Sequence, residues 1–239
     1  MAEKLTPEKI EEAAKHFENI QKGKVLIKPE EKTVDDKLKD MHEYLKKKDP
    51  ETYPLIPPTD PRLLMKIAPF TDDMLKEFKI LDRKELSKKM FKSMSKYGGI
   101  GLSGNQVGLP FRMFVMGGHP QIEDGKERTV FNPIVNDVSP ETVLMKEGCL
   151  SFPFLFLSIK RPKWVNVRYT DENGEEVEEF LHGMSSRIFQ HENEHMNGYI
   201  FTDLVSKIKL ERGKKAQAKL IKQTIRDQQE RLRHEIKTK

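Results

Sequence analysis

Apolar residues recur at helical spacing toward both ends of this chain and alternate in its middle. Near the N-terminus, Ile10, Ala13, Ala14, Phe17 and Ile20 form one stripe between Thr6-Pro7 and Gly23, predicting a helix with Pro at its first position. Leu38, Met41 and Leu45 mark a second helix from Thr33 to about Lys48, opened by a capping-box-like Thr33-Val34-Asp35-Asp36. Five prolines between Pro50 and Pro61 then break the pattern. Helical spacing resumes from Asp72 or Asp82 to Tyr97 and stops at Gly98-Gly99. Short β-rich runs follow at 112–116, 129–131 and 141–146, and Trp164 to Tyr169 alternates cleanly. Asn173-Gly174 reads as a hairpin turn returning through Val177 to Leu181. A helix from about Met184 to Asn197, closed by Gly198, comes next, and Lys207 to Lys239 is one long helical pattern weakened at Gly213.

Composition adds limits to this outline. The 239 residues suit one medium domain with appendages, and 34% charged against 36% hydrophobic residues implies solvated helices around a more ordinary centre. No apolar run approaches the roughly 18 residues of a membrane span. Met1-Ala2-Glu3-Lys4 lacks the apolar core of a signal peptide, and a single cysteine excludes an internal disulfide. A cytoplasmic protein with no membrane partner is expected. The helical tail carries twelve Lys and Arg, from Lys207 to Lys239, against Glu211, Asp227, Glu230 and Glu235, a surplus larger than the whole chain's +5. It reads equally well as a solvated helix or as a dock for RNA.

Candidate chemistry centres on Gln190-His191-Glu192-Asn193-Glu194-His195. Residues four apart share a helix face, so His191 and His195 can grip one metal ion while Glu192 serves a water as general base or acid. The plainer reading is a polar, solvent-facing helix, but Ile188, Phe189, Met196, Tyr199 and Ile200 flank the motif and predict burial. A catalytic site of this kind needs a third protein ligand. An extended motif would place His at 201, which is Phe201. Cys149, in Glu147-Gly148-Cys149-Leu150-Ser151, is the better candidate, although a lone Cys is more often a small buried hydrophobe.

Gly99-Ile100-Gly101-Leu102-Ser103-Gly104-Asn105-Gln106 contains Gly-x-Gly-x-x-Gly. The dinucleotide fingerprint must leave a strand and open a helix; here a helix precedes it and Pro110 follows. What remains is a close backbone approach, with Gln106 offering an amide donor near a reacting carbonyl.

Together these three stretches resemble, in order, the signature motifs of peptide deformylases, and Thr59-Asp60-Pro61-Arg62-Leu63-Leu64 resembles that family's N-terminal segment. The resemblance covers about residues 52–206. It implies an α+β fold of antiparallel strands around a central metal-binding helix, as a catalytic domain over 51–206. A charged helical extension (1–50) precedes it and a basic C-terminal helix (207–239) follows. It implies a hydrolase of N-terminal methionine processing that releases formate from N-formylmethionyl peptides. Cys149, His191 and His195 would hold one divalent ion, ferrous iron by preference, with zinc, nickel or cobalt able to replace it. Glu192 would move the proton, and Gln106 with the N–H of Leu150 would hold the oxyanion. Gly99, Ile100, Gly101 and Leu102 would pair with the peptide backbone, with Leu102, Met184 and Ile188 walling the methionine side chain.

The resemblance also implies a ribosome-docking role for the basic tail. Ser103-Gly104 stands where the family usually has two alanines, and Phe152 to Leu157 is unusually apolar, which suggests a preference for apolar residues after methionine. Two rivals follow from the residues: a metallopeptidase of the same His-Glu-x-x-His chemistry, and a silent ribosome-binding relative.

Overall fold

Met113-Phe114-Val115-Met116 has no polar position because both faces of this strand are buried. The computed structural model describes residues 51–237, so the helices expected within 1–50 lie outside the described residues. The elements run α1 (Asp73–Glu77), α2 (Arg83–Lys96), β1 (Gly101–Ser103), β2 (Met113–Met116), β3 (Arg128–Val138) and β4 (Thr142–Cys149). They continue as β5 (Phe152–Pro162), β6 (Trp164–Thr170), β7 (Glu176–His182), α3 (Gly183–Met196) and α4 (Lys207–Lys237). Strands β1-β2-β3-β6-β7 form one antiparallel sheet in that order, and β4-β5 form a separate hairpin.

The alternation of β2 divides the core between two helices. Met113 and Val115 meet Leu86, Met90 and Met94, the i, i+4, i+8 stripe of α2. Phe114 and Met116 meet Ile188, Phe189 and Met196 of α3, together with Val165, Val167 and Leu181. Phe114 and Phe189 pack edge to face at 5.2 Å. The helix that the pattern began at either Asp72 or Asp82 is two helices. Asp82 caps α2, its side chain accepting from Glu85 N at 2.8 Å, while Lys79 at φ 55 turns the chain between α1 and α2.

The short β1 and the long β5 are strands the sequence pattern did not predict. Leu155, Leu157 and Ile159 point inward and pack with Phe201, Val205 and Leu210. Opposite the step from Gly148 to Cys149, the β5 partner jumps from Phe156 to Phe152, and Phe154 within that bulge sits at φ 62. Helix α4 lies against this strand. A Cβ on Gly213 would stand 2.6 Å from Leu157 Cδ2, Gln217 Nε2 donates to the Pro153 carbonyl at 2.7 Å, and Ile221 is buried. The glycine that weakens the helix pattern is therefore its point of closest approach. Seating α4 also accounts for much of the apolar character of 152–157.

Candidate metal centre and active site

α3 carries its motif on the face turned into the protein. The helix ends at Met196, with Asn197 as its cap and then Gly198 at φ 78, where a Cβ would strike the Leu64 carbonyl at 2.6 Å. Carbonyls of its last turn find donors outside the helix: Asn105 Nδ2 reaches the His195 oxygen at 3.0 Å and Arg112 Nη1 the Met196 oxygen at 2.9 Å. His191, Glu192 and His195 are all buried.

The β4–β5 turn delivers Cys149 to the same place. Its Sγ lies 3.3 Å from His195 Nε2, and ligand atoms of Cys149, His191 and His195 lie within 4.8 Å of one another. Behind them stands Glu147, two residues before Cys149 on its strand. Its Oε2 meets His191 Nδ1 at 3.2 Å, which leaves the other ring nitrogen for a ligand role. Arg161 forks onto Glu147 at 2.7 and 2.9 Å and reaches on to Glu194, while Arg187 also donates to Glu147.

Electrostatics follow from this packing. Burial favours the neutral form of Glu147, but bonds from His191 and Arg161 outweigh it and hold the carboxyl down to about 2. Burial also works against a charged His191, yet its bonds to Cys149 and Glu147 prevail and raise it well above the usual value. His195 moves the other way, pushed well below its usual value by burial and then by the charges of His191 and Arg161. Burial raises Glu192, with the charge of His191 and the hydroxyl of Ser103 pulling against it.

The first motif wraps the opposite side. Gln106 Oε1 accepts from Ser103 N at 2.9 Å, while Nε2 donates to Ser151 Oγ at 3.0 Å and to Cys149 Sγ at 3.3 Å. Both amide protons of Gln106 are thus engaged, and offering one to a substrate oxygen means exchanging one of these contacts. A Cβ on Gly101 would collide with the Glu192 carboxylate and come within 2.8 Å of Ile188 Cγ2. A Cβ on Gly99 would come within 2.6 Å of Leu150 Cδ1. These two glycines let the chain lie close against Glu192, Ile188 and Leu150.

The candidate apolar wall divides. Ile100, Met184 and Ile188 belong to one cluster. Leu102 does not join them: it is fully buried on the α2 side of the sheet, because Gly101 and Ser103 take the α3 side and a strand alternates. The sequence reading named no role for Glu147, Arg161, Ser103 or Ser151. Glu147 and Ser151 carried a signal, each standing two residues from Cys149. A groove of about 860 Å³ beside α2, lined by Lys84, Ser87, Lys88, Phe91 and Glu172 among others, contains none of the donor residues.

Comparison with known proteins converges on one family. The family model described as polypeptide deformylase matches residues 54–211. Peptide deformylase of Thermotoga petrophila is 41% identical over 152 residues, 63% of this chain and 85% of that protein. The crystal structure of peptide deformylase from Thermotoga maritima superposes with a TM-score of 0.57 at 36% identity, over 65% of this chain and 98% of that one. A Met-Ala-Ser-bound class I type b peptide deformylase from Acinetobacter baumannii gives a TM-score of 0.57 at 27% identity, over 64% and 98%.

Proposed function

This chain belongs to the peptide deformylase family, and from that premise we propose which of its residues do the work. The enzyme removes N-formyl groups from nascent peptides, and the family does so with a metal.

Cys149, His191 and His195 would hold one divalent cation. The donor set fits: a thiol and two imidazoles converge, and Glu147 orients one ring from behind. When bound, such an ion acidifies a water and polarises the formyl carbonyl. We propose Fe2+ as the native ion, with Zn2+, Ni2+ or Co2+ as competent substitutes.

Glu192 takes the proton of the attacking water and hands it to the departing amine, a task suited to a buried carboxyl whose pKa is raised. The N–H of Leu150 and the amide of Gln106 stabilise the oxygen on which charge develops. β1 is an outer strand of the sheet, so Gly99 to Leu102 can pair with the substrate backbone along its open edge. Ile100, Met184 and Ile188 would enclose the methionine side chain. The Met-Ala-Ser complex of the Acinetobacter protein supports a methionyl peptide as the ligand class.

Of these observations, the convergence of Cys149, His191 and His195 carries the reading. Anaerobically purified protein with its metal quantified should release formate from a formyl-Met peptide and lose that activity in air if the ion is iron. Metal-replete protein that releases none would overturn it. We place the reaction in the cytoplasm. The exposed cations of α4, among them Lys209, Arg212, Lys215, Lys219 and Lys222, would dock the enzyme on ribosomal RNA near emerging chains. Among the described residues, no helix is long and apolar enough to cross a membrane.

A further inference from the structure

We propose that Ser103 is a positioning residue that ties one oxygen of Glu192 and reserves the other for the reaction. Ser103 Oγ lies 2.5 Å from Glu192 Oε2 and 3.3 Å from the Glu192 backbone oxygen, and the residue is fully buried. Oε1 faces elsewhere: it lies against Gly101, where a Cβ would displace it. Gly101 and Ser103 are the two ends of β1, and among the described residues β1 pairs with β2 on one side only. The two carboxylate oxygens therefore have different neighbours. Oε2 is held by a hydroxyl inside the protein, and Oε1 lies over the strand that would receive the peptide.

A direction of proton traffic follows. The one proton of the Ser103 hydroxyl serves the nearer of its two acceptors, Oε2, which leaves Oε1 as the oxygen open to a proton taken up by Glu192. It is then on the oxygen from which it must be passed to the departing amine, with no rotation of the carboxyl between receipt and delivery. The same serine donates its backbone N–H to Gln106 Oε1 at 2.9 Å, which turns the Gln106 NH2 toward Cys149 and Ser151. One residue thus orients both the proton carrier and an oxyanion donor. Only its hydroxyl is specific to serine.

This inference rests on Glu192 as the proton carrier, and the tests separate the two claims. With a formyl-Met peptide and metal-loaded protein, Ser103→Ala should lower kcat about tenfold while KM stays within about twofold, since misaligned proton transfer slows the chemical step alone. Metal content should match the wild type, and loss of one buried hydrogen bond should lower the melting temperature by no more than about 5 °C. Ser103→Cys, close in volume but a weak donor, should lose nearly as much. Ser103→Thr, which keeps the hydroxyl, should recover most of kcat if its melting curve shows that the buried methyl is accommodated. Ser103→Ala with kcat within twofold of wild type would overturn the proposal. So would a Cys variant that keeps full kcat while Ala loses it, because volume would then be what matters. A fall in kcat matched by lost metal, or by a melting temperature lowered well beyond that, would reduce Ser103 to a structural role. Wild-type turnover in Glu192→Ala would instead remove the premise.

Discussion

Helices α3 and α4 are built from polar sequences of opposite design. α3 has 14 residues, and Arg187, His191, Glu192 and His195 among them are buried, with named partners from β1, β4 and the segment after β1. α4 has 31 residues and meets β5 along one face, through Leu210, Gly213 and Gln217, with Ile221 also buried, while its lysines and arginines up to Arg226 face solvent. A buried charge must find a partner, and removing that partner strands the other. A solvated charge needs none, and its removal is nearly neutral for stability. Polar residues on α3 are therefore specified atom by atom, whereas on the outer face of α4 only their sum matters.

That contrast orders the expected effects. Cys149→Ala should abolish metal retention and cut turnover by several kcal/mol of transition-state stabilisation, about a thousandfold or more, as metal analysis and formate release would show. Glu147→Gln leaves His191 and two arginines without their carboxylate. It should weaken metal affinity by about 10- to 100-fold in a competition titration against a chelator, and unchanged affinity would remove Glu147 from the metal centre. On α4, Ile221→Ala should lower stability by about 2 kcal/mol in urea unfolding, with the metal site of the folded protein unaltered. Reversing Lys215 and Lys219 to Glu should leave stability within about 0.5 kcal/mol and peptide turnover unchanged, yet weaken ribosome binding and flatten its salt dependence. Equal ribosome affinity would leave α4 as a solvated helix with one packed face.

A pH test sharpens the same contrast away from the metal. Burial disfavours the charged form of Glu179, but Arg128, Lys126 and the Tyr169 hydroxyl outweigh it and hold the group at about 2. Its folded value is below the ordinary 4.5, so its contribution is complete above about pH 4.5 and lost as pH falls toward 2. Glu179→Gln should lower the melting temperature near neutrality and make it fall less steeply through that window.

Much of this was legible because it depends on local periodicity. The i, i+4 spacing of His191 and His195 needs only a helix, and α2, α3, α4 and the β6–β7 hairpin follow from apolar spacing and turn residues. Strand β5 was hidden because the bulge at Phe154 and the outward Phe156 break its alternation. Leu102 was assigned to the methionine pocket because a glycine-rich close approach does not fix which side chain faces which side; in β1 it lies on the α2 side. Ser103 was invisible as a functional residue because its partner Glu192 lies 89 positions away, and its role arises only when β1 is laid against α3. Contacts between distant segments are properties of the fold, and no spacing in the chain announces them.

The central claim is that Cys149, His191 and His195 hold the metal and Glu192 moves the proton, and Glu192→Ala tests both halves at once. Metal content and formate release should be measured on the same preparation of this variant. The account predicts metal at the wild-type level with turnover reduced by at least about a hundredfold. Loss of the metal would make Glu192 a ligand, and wild-type turnover would show that the proton travels by another route; either result contradicts the account.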